Sequence, residues 1–462
     1  MTDINKSIFR EYDIRGIVGS DLTEENVEVL GKALGTYFKG KEEGTVVVGR
    51  DNRLSSESYA TALNKGLKST GMTVIDIGLV VTPMCYYAAK MKEAAGVMIT
   101  ASHNPKEYNG FKIQTSTDSV CGDELQKVYE IMVSGEYAEG EGMIELWDVV
   151  PEYYAMLKDK ITLERPLKVV IDCGNGTASL FAQDILEAWG CEVVSQYCES
   201  DGNFPHHTPD PVKVENAKIL AEKVREENAD LGIGFDGDGD RLGVVDEKGT
   251  MIYGDVLMVL FYDEILKDNE GMTCLIEVKC SEALYKECEK RGGVPEFSRT
   301  GHSLIKARMK ETGSRFAGEM SGHMFFADEY YGFDDAFYAA GRLLRILAGS
   351  GGTFSELLSD VPAYVSTPEV RVKTTDDDKF TIVSDVQDYF KNDYDVVDVD
   401  GARINFPFGG WGLVRASNTQ PVLVVRAEAK NEEDLEKIKS ILEEKLTTYE
   451  SIDHIDWTGS EE

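Results

Sequence analysis

The sequence predicts an α/β protein with three similar mixed α/β domains in tandem, followed by a smaller α+β C-terminal domain. Three segments, beginning at Val46, Val169 and Cys274, each carry the pattern of a β-branched strand, a polar or glycine-containing turn and a helix-like stretch. A second apolar strand follows each segment and ends in an unusual loop. Because strand-then-helix alternation is typical of parallel α/β layers, we expect these loops at the carboxyl ends of strands, where ligands bind.

Polar and glycine-rich stretches mark the breaks between the predicted domains. The first break covers residues 134–142, the second lies near Gly249, and the third begins at Gly349-Ser-Gly-Gly352. The predicted domains are residues 1–147, 148–250, 251–365 and 366–462. The last domain ends in a helix capped by Asn431, whose apolar stripe is expected to lie in the core and consists of Leu435, Ile438, Leu442 and Leu446.

Length and composition indicate an ordinary soluble protein. The 462 residues are 42% hydrophobic and 28% charged, which suits a globular chain of about three or four domains. No apolar run approaches the length of a membrane span, and the first residues lack the apolar core of a signal peptide. We therefore expect a cytoplasmic protein, either a monomer or a homodimer.

The net charge excludes some classes of partner. The formal charge is −35 at pH 7, which argues against nucleic acid and anionic membranes. An anionic substrate would need a local concentration of Arg, Lys and backbone N–H groups, because the overall field of the protein repels it.

The eight cysteines are scattered, without a C-x-x-C pair or the spacing of a metal site. In a cytosolic protein such cysteines are expected to be reduced and mainly buried, where they act as small hydrophobic residues. A catalytic use of any of them is not expected.

Three aspartates on alternate positions, Asp236, Asp238 and Asp240, are the strongest chemical signal in the chain. They follow Leu231-Gly-Ile-Gly-Phe235, which predicts a buried strand. Alternate side chains of an extended segment point the same way, so the carboxylates are expected to converge, and the glycines between them let the backbone bend around an ion. Crowded carboxylates are costly without a counter-ion, so the loop predicts a hard divalent metal, with Mg²⁺ preferred beside a phosphate.

The alternative for this loop is a calcium EF-hand, because the aspartates fit its spacing and Glu247 falls at its last position. That template requires glycine where this chain has Arg241. The following stretch, Leu242-Gly-Val-Val245, predicts a second strand, so the expected motif is strand–loop–strand. A solvated acidic turn without metal is a further alternative.

Ser102 lies in the loop Thr100-Ala-Ser-His-Asn-Pro105, directly after the apolar strand Gly96-Val-Met-Ile99. The loop lacks the G-x-S-x-G frame of a hydrolase elbow, and most loop serines are turn or capping residues. His103 cannot be assumed to be the base for Ser102, because the side chains of chain neighbours usually point apart. Taken alone, the loop is only a candidate for catalysis.

Two later loops offer groups suited to a phosphosugar, although either could be an ordinary turn. The loop from Gly318 to His323 offers carboxylate and hydroxyl groups for sugar hydroxyls, from Glu319 and Ser321. The loop from Arg415 to Pro421 offers a planar guanidinium fork for phosphate. Its polar side chains are Arg415, Ser417, Asn418 and Thr419. Isolated candidates, of types that are more often surface charges or structural histidines, are Arg15, Lys112, Lys279 and His302.

Together these loops resemble those of the α-D-phosphohexomutase family, most closely its bacterial phosphomannomutase/phosphoglucomutase branch. The four loops occur in the family's order, and their spacing suits four domains around a central cleft, so the resemblance runs nearly from end to end. By this resemblance, residues 100–105 are the phosphoserine loop, 236–241 the metal loop, 318–323 the sugar loop and 415–421 the phosphate loop. The first loop has Ala101 where glycine is also common in the family.

The resemblance implies a role for each candidate. Ser102 would carry a phosphoryl group, and Mg²⁺ would be held by Ser102 together with the three aspartates of the metal loop. Lys112 or His302, with Lys112 preferred, would act as general acid/base beside Arg15 and Arg241. The residues implied in substrate binding are Lys279, Glu319, Ser321, His323, Arg415, Ser417, Asn418 and Thr419.

The implied activity is that of a phosphohexomutase, which interconverts hexose 1-phosphate and hexose 6-phosphate, with mannose, glucose or both as the sugar. The phosphorylated Ser102 would pass its phosphoryl group to the substrate, and the resulting hexose 1,6-bisphosphate would turn around and return the other phosphoryl group. The same bisphosphate would serve as activator. Alternatives are a phosphoglucosamine mutase, a phosphatase with the same metal loop and, from another class, a calcium-binding interaction module.

Overall fold

The structure is a computed structural model that describes residues 4–418 and 420–459. The chain divides into two compact units, the first comprising Met1–Phe261 with Ser321–Ser359 and the second Tyr262–Met320 with Asp360–Glu462. Thr419, one of the predicted phosphate-binding residues, lies outside the described residues. In the described part of the chain, no helix combines the length and the apolar character needed to cross a bilayer.

The first sheet of the first unit carries the Ser102 loop. Its strands are β1 (Ile14–Ile17), β2 (Thr45–Arg50), β3 (Thr73–Leu79), β4 (Ala95–Ile99), β5 (Tyr108–Gln114) and β6 (Met143–Leu146). The order is β1-β5-β4-β2-β3-β6, and only β5 is antiparallel to its neighbours. The helices of this segment are α1 (Glu24–Gly40), α2 (Ser56–Ser69), α3 (Thr82–Lys92) and α4 (Asp123–Ser134). β4 is buried along its whole length, as central strands covered by helices are.

The second sheet of this unit carries the aspartate loop. Its strands are β7 (Lys168–Asp172), β8 (Glu192–Gln196), β9 (Leu231–Phe235), β10 (Leu242–Asp246) and β11 (Met251–Ile252), with α5 (Val150–Lys160), α6 (Ala182–Ala188) and α7 (Val214–Glu227) as its helices. The order is β11-β10-β9-β7-β8, in which β7 is parallel to β8 and β9. β9 and β10 are antiparallel and flank the loop, so the predicted strand–loop–strand motif is confirmed and the EF-hand alternative is wrong.

Elements of residues 251–365 fall in both units. Helix α8 (Gly254–Leu266) contains the point of division. In the second unit, β12 (Thr273–Glu277) is parallel to both β13 (Val294–Ser298) and β14 (Phe316–Gly318), and the helices are α9 (Glu282–Lys290) and α10 (His302–Thr312). The elements that belong to the first unit are β15 (Met324–Phe326), α11 (Ala336–Ser350) and α12 (Phe354–Leu357).

The C-terminal part of the second unit is built differently, around an antiparallel sheet. Its strands are β16 (Val365–Ser366), β17 (Val370–Lys373), β18 (Asp395–Val397), β19 (Ala402–Asn405), β20 (Trp411–Ala416) and β21 (Val422–Ala429), with helices α13 (Asp378–Phe390) and α14 (Glu432–Leu446). Asn431 caps α14 by accepting the Asp434 N–H at 3.0 Å, and the predicted apolar stripe of α14 is buried. The predicted α/β class, with its distinct α+β C-terminal part, is confirmed.

Candidate active site

Ser102 lies at the centre of a buried polar network in the first unit. Its Oγ donates a hydrogen bond to Asp236 Oδ2 at 2.6 Å, and the residue is only 1% exposed. The backbone of Ser102 has φ 53°, in the left-handed region, which costs a non-glycine residue about 1–3 kcal/mol. The loop therefore holds this serine against the aspartate loop in a conformation that the chain does not favour by itself.

The left-handed turn also places His103 beside Ser102, which corrects the expectation that these neighbouring side chains point apart. Ser102 Oγ is 3.1 Å from His103 Nδ1. Burial, together with the charges of Arg241 and Arg15, holds the pKa of His103 well below its usual range. His103 is therefore a neutral ring that contacts the serine hydroxyl.

Arg53, which the sequence analysis missed, fastens the backbone of the Ser102 loop. Its buried guanidinium donates hydrogen bonds to the carbonyl oxygens of Ser102 at 2.8 Å, Asn104 at 2.6 Å and Pro105 at 2.7 Å. Asp51 neutralises it, with Nε and Oδ2 3.2 Å apart. The available signal was its place directly after β2, because polar residues at the carboxyl ends of such strands face ligand sites.

The three aspartates converge as predicted. Asp236, Asp238 and Asp240 are each 0% exposed, and one oxygen of each lies within 4.8 Å of the others. Asp236 Oδ1 closes the loop by accepting the backbone N–H of Asp240 at 3.0 Å and of Arg241 at 3.1 Å. Thr82, which the sequence analysis missed, donates both its hydroxyl and its backbone N–H to Asp238.

The donor set of this cluster fits a hard divalent cation. In the described part of the chain, the buried Oδ1 atoms of Asp238 and Asp240 have no hydrogen-bond partner. Because a buried carboxylate oxygen without a partner is unfavourable, these lone pairs are suited to a metal ion, and oxygen ligands are those that Mg²⁺ prefers.

Lys112 supplies a positive charge inside the cluster. Its Nζ lies 2.7 Å from Asp238 Oδ2 and also contacts Asp240, and the side chain is 4% exposed, so its interpretation as a surface charge is wrong. Burial opposes the charge of Lys112, but the two carboxylates outweigh burial and raise its pKa. Burial and carboxylate repulsion raise the pKa of Asp236, whereas Lys112 overcomes burial and lowers that of Asp238. Lys112 is therefore held as an ammonium.

Arg15, a predicted active-site arginine of the first unit, borders the same network. Arg15 pairs with Asp13, with Nε and Oδ2 2.8 Å apart, and donates to Asn104 Oδ1 of the Ser102 loop at 2.5 Å.

Ser321, a predicted sugar ligand in the first unit, is half-buried just before β15.

A chain of contacts runs from Arg241 through His323 to a carboxylate that the sequence analysis missed. Arg241 Nε donates a hydrogen bond to His323 Nε2 at 3.0 Å. Nε2 is the acceptor of this bond, and Nδ1 on the other side of the ring lies 3.0 Å from Asp334 Oδ2. Asp334 is fully buried. It lies beyond the end of the sugar loop in the sequence and belongs to no recognisable motif. This arrangement fixes the edge of the imidazole that faces Arg241.

The second unit holds other predicted residues, the first of which gather around β12 and β14. Lys279 Nζ lies 3.0 Å from Glu369 Oε2 and 3.3 Å from Glu277 Oε1. Glu319 Oε1 accepts the Gly301 N–H at 2.7 Å, and Gly301 directly precedes His302 at the start of α10. These contacts place a buried cation, a carboxylate and a histidine at the carboxyl ends of neighbouring parallel strands.

The predicted phosphate loop follows β20 in the same unit. Arg415 is buried, and its Nε and one terminal nitrogen both lie 3.1 Å from Asp400 Oδ2. The Lys379 ammonium, which the sequence analysis missed, donates to the Ser417 carbonyl at 2.8 Å and to the Gln420 carbonyl at 3.1 Å. Ser417 directly precedes Asn418, so a buried lysine holds the backbone on one side of Asn418.

The fold and these networks define a multidomain α/β protein in which a strained serine faces a buried carboxylate cluster, an arrangement typical of metal-assisted phosphoryl transfer. Family models of the phosphoglucomutase/phosphomannomutase α/β/α domains I, II and III and of its C-terminal domain match residues 6–139, 151–249, 253–364 and 369–445. The chain belongs to the phosphoglucomutase/phosphomannomutase family. The predicted resemblance to the α-D-phosphohexomutases is confirmed.

Relatives match over nearly the full chain. A phosphomannomutase/phosphoglucomutase of Pseudomonas aeruginosa is 46% identical over 447 residues, which cover 96% of each chain. A phosphoglucomutase of Neisseria gonorrhoeae is 38% identical over 463 residues, which cover 99% of this chain and 100% of the relative. The crystal structure of a phosphoglucomutase/phosphomannomutase family protein from Burkholderia thailandensis superposes with a TM-score of 0.91 at 40% identity, covering 96% of this chain and 98% of the other.

Proposed function

We propose that this chain is a phosphohexomutase, an intramolecular phosphotransferase that interconverts hexose 1-phosphate and hexose 6-phosphate, with mannose, glucose or both as the sugar. The observation that carries the proposal is the 2.6 Å contact between Ser102 Oγ and Asp236 inside a buried cluster of three carboxylates. A serine in that place can hold a phosphoryl group beside a cation. The names of the relatives, phosphomannomutase/phosphoglucomutase and phosphoglucomutase, support this substrate class.

Mg²⁺ is the proposed metal, with Ser102, Asp236, Asp238 and Asp240 as the residues that would hold it. The convergent carboxylates and their buried lone pairs support this choice. Bound there, the ion would neutralise negative charge on a phosphoryl group.

The protein's own side chains supply the remaining chemistry. Ser102 would accept and return the phosphoryl group, while the guanidinium groups of Arg15 and Arg241 would neutralise its oxygens. Lys112 is our preferred general acid/base over His302. Because neighbouring carboxylates outweigh burial and raise the pKa of Lys112, it is protonated at the start and would enter the reaction as the acid, although the same carboxylates weaken that acid.

Substrate recognition is proposed for a further set of residues. Lys279 and His302 would meet the reacting end, and Glu319, Ser321 and His323 would bind sugar hydroxyls. The group proposed to grip the non-reacting phosphate is Arg415, Ser417, Asn418 and Thr419. The contacts of the Lys379 ammonium with the carbonyl oxygens of Ser417 and Gln420 support a phosphate-binding role for this part of the chain.

The wider context of the enzyme is also proposed. Hexose 1,6-bisphosphate would be both intermediate and activator. The enzyme would act in the cytoplasm as a monomer or homodimer, with functional domains at residues 1–147, 148–250, 251–365 and 366–462.

A coupled assay tests the proposal. The purified chain, supplied with Mg²⁺ and a trace of glucose 1,6-bisphosphate, should convert glucose 1-phosphate, mannose 1-phosphate or both to the 6-phosphate. Release of inorganic phosphate without 6-phosphate would instead indicate a phosphatase. Turnover restricted to glucosamine 1-phosphate would move the chain to the phosphoglucosamine mutases, and tight calcium binding without turnover would support an interaction module.

Asp334 is proposed to position Arg241 through His323. Asp334→Asn keeps the side-chain volume but removes the charge that faces His323 Nδ1, so the ring can turn and Arg241 loses the acceptor of its Nε–H. We expect kcat to fall about ten- to hundredfold with little change in KM, as is usual for a residue that orients another. Steady-state kinetics of the variant provide the measurement.

Two comparisons separate this positioning role from general damage. Asp335→Asn is the matched control, because Asp335 is equally buried but accepts hydrogen bonds from Tyr153 and Tyr330, so it should affect stability and not kcat. In an Arg241→Ala background, Asp334→Asn should add little further loss, because both residues act through one guanidinium. Full kcat in Asp334→Asn, or additive losses, would contradict the role.

Gly237 separates the aspartate loop from the Ser102 loop, and a side chain there is expected to force them apart. A Cβ on Gly237 would lie 2.4 Å from the Ser102 carbonyl oxygen. Gly237→Ala should lower the free energy of unfolding by about 1–3 kcal/mol, the usual cost of overpacking, and mutase turnover by at least about tenfold. Chemical denaturation and kinetics measure both. Gly44→Ala is the control, since a Cβ at Gly44 meets nothing within 4 Å.

A further inference from the structure

We propose that Cys173 and Cys198 form a reversible disulfide site, which exchanges with low-molecular-weight disulfides of the glutathione class. The two Sγ atoms are hydrogen-bonded and 3.2 Å apart, while all described cysteines are free thiols. Forming the bond requires the sulfurs to approach to about 2.05 Å, so a shift of little more than about 1 Å suffices.

The pair lies at the carboxyl end of two adjacent parallel strands. The last registered pair of β7 and β8 is Asp172 with Gln196, and the Cys173 N–H donates to the Gln196 carbonyl at 3.4 Å. Beyond it the backbone of Tyr197 is left-handed, with φ 50°, and turns Cys198 back toward Cys173. The sheet and this turn therefore hold the two thiols together.

The two thiols differ in exposure and acidity, which suits one to attack an external disulfide and the other to resolve the mixed disulfide that forms. Cys198 is partly exposed, whereas Cys173 is buried. The hydrogen bond with Cys173 lowers the pKa of Cys198, while burial raises the pKa of Cys173. Because the thiolate is the attacking species in thiol–disulfide exchange, Cys198 is the residue that meets the oxidant.

The exchange balances with glutathione disulfide as the oxidant. The Cys198 thiolate attacks one sulfur, forms a mixed disulfide and releases one glutathione as its thiolate. The Cys173 thiol then loses its proton, forms the Cys173–Cys198 bond and displaces the second glutathione. Two cysteine thiols are oxidised by two electrons in total, and one glutathione disulfide is reduced to two thiols, which carry away both protons.

Other cysteines of the chain provide internal contrasts. Burial, and after it Cys274, raises the pKa of Cys288, and because both cysteines are buried an oxidant has no access to them. Cys121 is the other partly exposed cysteine among the described residues. Cys198 thus combines access to an oxidant in solution with a thiol partner, Cys173, at hydrogen-bond distance.

The disulfide would act on the proposed active site through one loop, and this part of the inference rests on the proposed function. Thr177, in the loop after Cys173, donates its N–H to the Gly237 carbonyl at 2.9 Å, and a Cβ on Gly176 would lie 2.8 Å from Gly237 Cα. Gly237 in turn packs against the Ser102 carbonyl, with no room for a Cβ. A displacement at Cys173 is therefore passed by direct backbone contact to the aspartate loop and to Ser102.

The chemical test treats the native full-length chain with a graded ratio of glutathione disulfide to glutathione, followed by acid quenching, alkylation and peptide mass spectrometry. The wild type should form the Cys173–Cys198 disulfide, with Cys274 and Cys288 still alkylatable after unfolding and Cys121 modified at most by glutathione. Cys173→Ser should trap glutathione on Cys198, and Cys198→Ser should leave Cys173 reduced. A wild-type Cys198 that stays a thiol, or that keeps glutathione permanently, would overturn the proposal.

The functional test measures mutase turnover of the oxidised wild type. Quantitative disulfide formation should lower turnover by at least about tenfold, and dithiothreitol should restore it, while Cys198→Ser should be insensitive to the oxidant. Unchanged turnover in the fully disulfide-bonded enzyme would overturn the link to the active site. If the wild type shows no mutase activity, the proposed function fails, and the mass-spectrometric test still decides the disulfide site.

Discussion

Ser102→Ala is expected to lower mutase turnover by roughly 10⁵- to 10⁶-fold, to the background of the assay, because it removes the atom that would carry the phosphoryl group. The loss should exceed that of any neighbouring substitution. Arg15, Arg241 and Lys112 would only stabilise charge or move a proton, whereas no other described hydroxyl occupies the place of Ser102 Oγ, 2.6 Å from Asp236. Steady-state turnover with each hexose 1-phosphate provides the measurement.

The left-handed backbone of Ser102 requires a second variant, because alanine at φ 53° keeps the strain while glycine relieves it. Ser102→Gly should be equally inactive and at least as stable as the alanine variant. Ser116→Ala, which removes an exposed hydroxyl from the same sheet region, should retain full activity. Phosphopeptide mapping should find the phosphoryl group of the wild type on Ser102. Substantial turnover in both Ser102 variants would overturn the proposed function.

Asp238→Asn is expected to have the second-largest effect, a loss of turnover of about 10³-fold or more, comparable with losing a principal electrostatic group of an active site. Asp238 is the carboxylate that binds both Lys112 and Thr82, and it contributes one of three converging oxygens. The amide removes a full negative charge, so the affinity for Mg²⁺ should fall as well. Titration of turnover against Mg²⁺, with calorimetry of metal binding, measures both effects.

Asp246→Asn is the matched control for the metal loop. Asp246 ends β10 and is buried, but it accepts the backbone N–H groups of Lys248 and Thr250 and does not belong to the cluster. Its substitution should leave Mg²⁺ affinity unchanged. An excess of chelator should abolish wild-type turnover while near-UV circular dichroism stays native. Normal turnover of Asp238→Asn, or of the wild type in excess chelator, would rule out the metal's role.

Local sequence pattern predicted the parts of the fold that depend on local physics. The apolar run of β9, the alternating aspartates and the apolar run of β10 specify a strand–loop–strand because periodicity and glycine content are properties of the segment itself. The cap of α14 by Asn431 is equally local. The reversed direction of β5 was not predicted, because strand direction depends on pairing with β4 and β1, which no residue of β5 encodes by itself.

The residues of the candidate site also separate into those that a local sequence motif predicted and those that only the fold reveals. The loops of Ser102 and the aspartates were found because each is a short motif with its own chemistry. Arg53, Thr82 and Asp334 were missed, because a single polar residue becomes informative only when the fold brings a distant partner to it. Lys112 was named on resemblance, yet its burial between carboxylates from another loop could not be inferred from its surroundings in the chain.

The ammonium of Lys112 within the aspartate cluster bears on how the protein survives a shortage of divalent ions. Domains that are organised by their metal unfold when it is withdrawn, and unfolded chains are lost to proteolysis. Here the cluster carries a counter-charge that is part of the polypeptide. When the ion is scarce, the enzyme would therefore lose activity but stay folded. A cell that regains the ion would then recover activity without synthesising new protein.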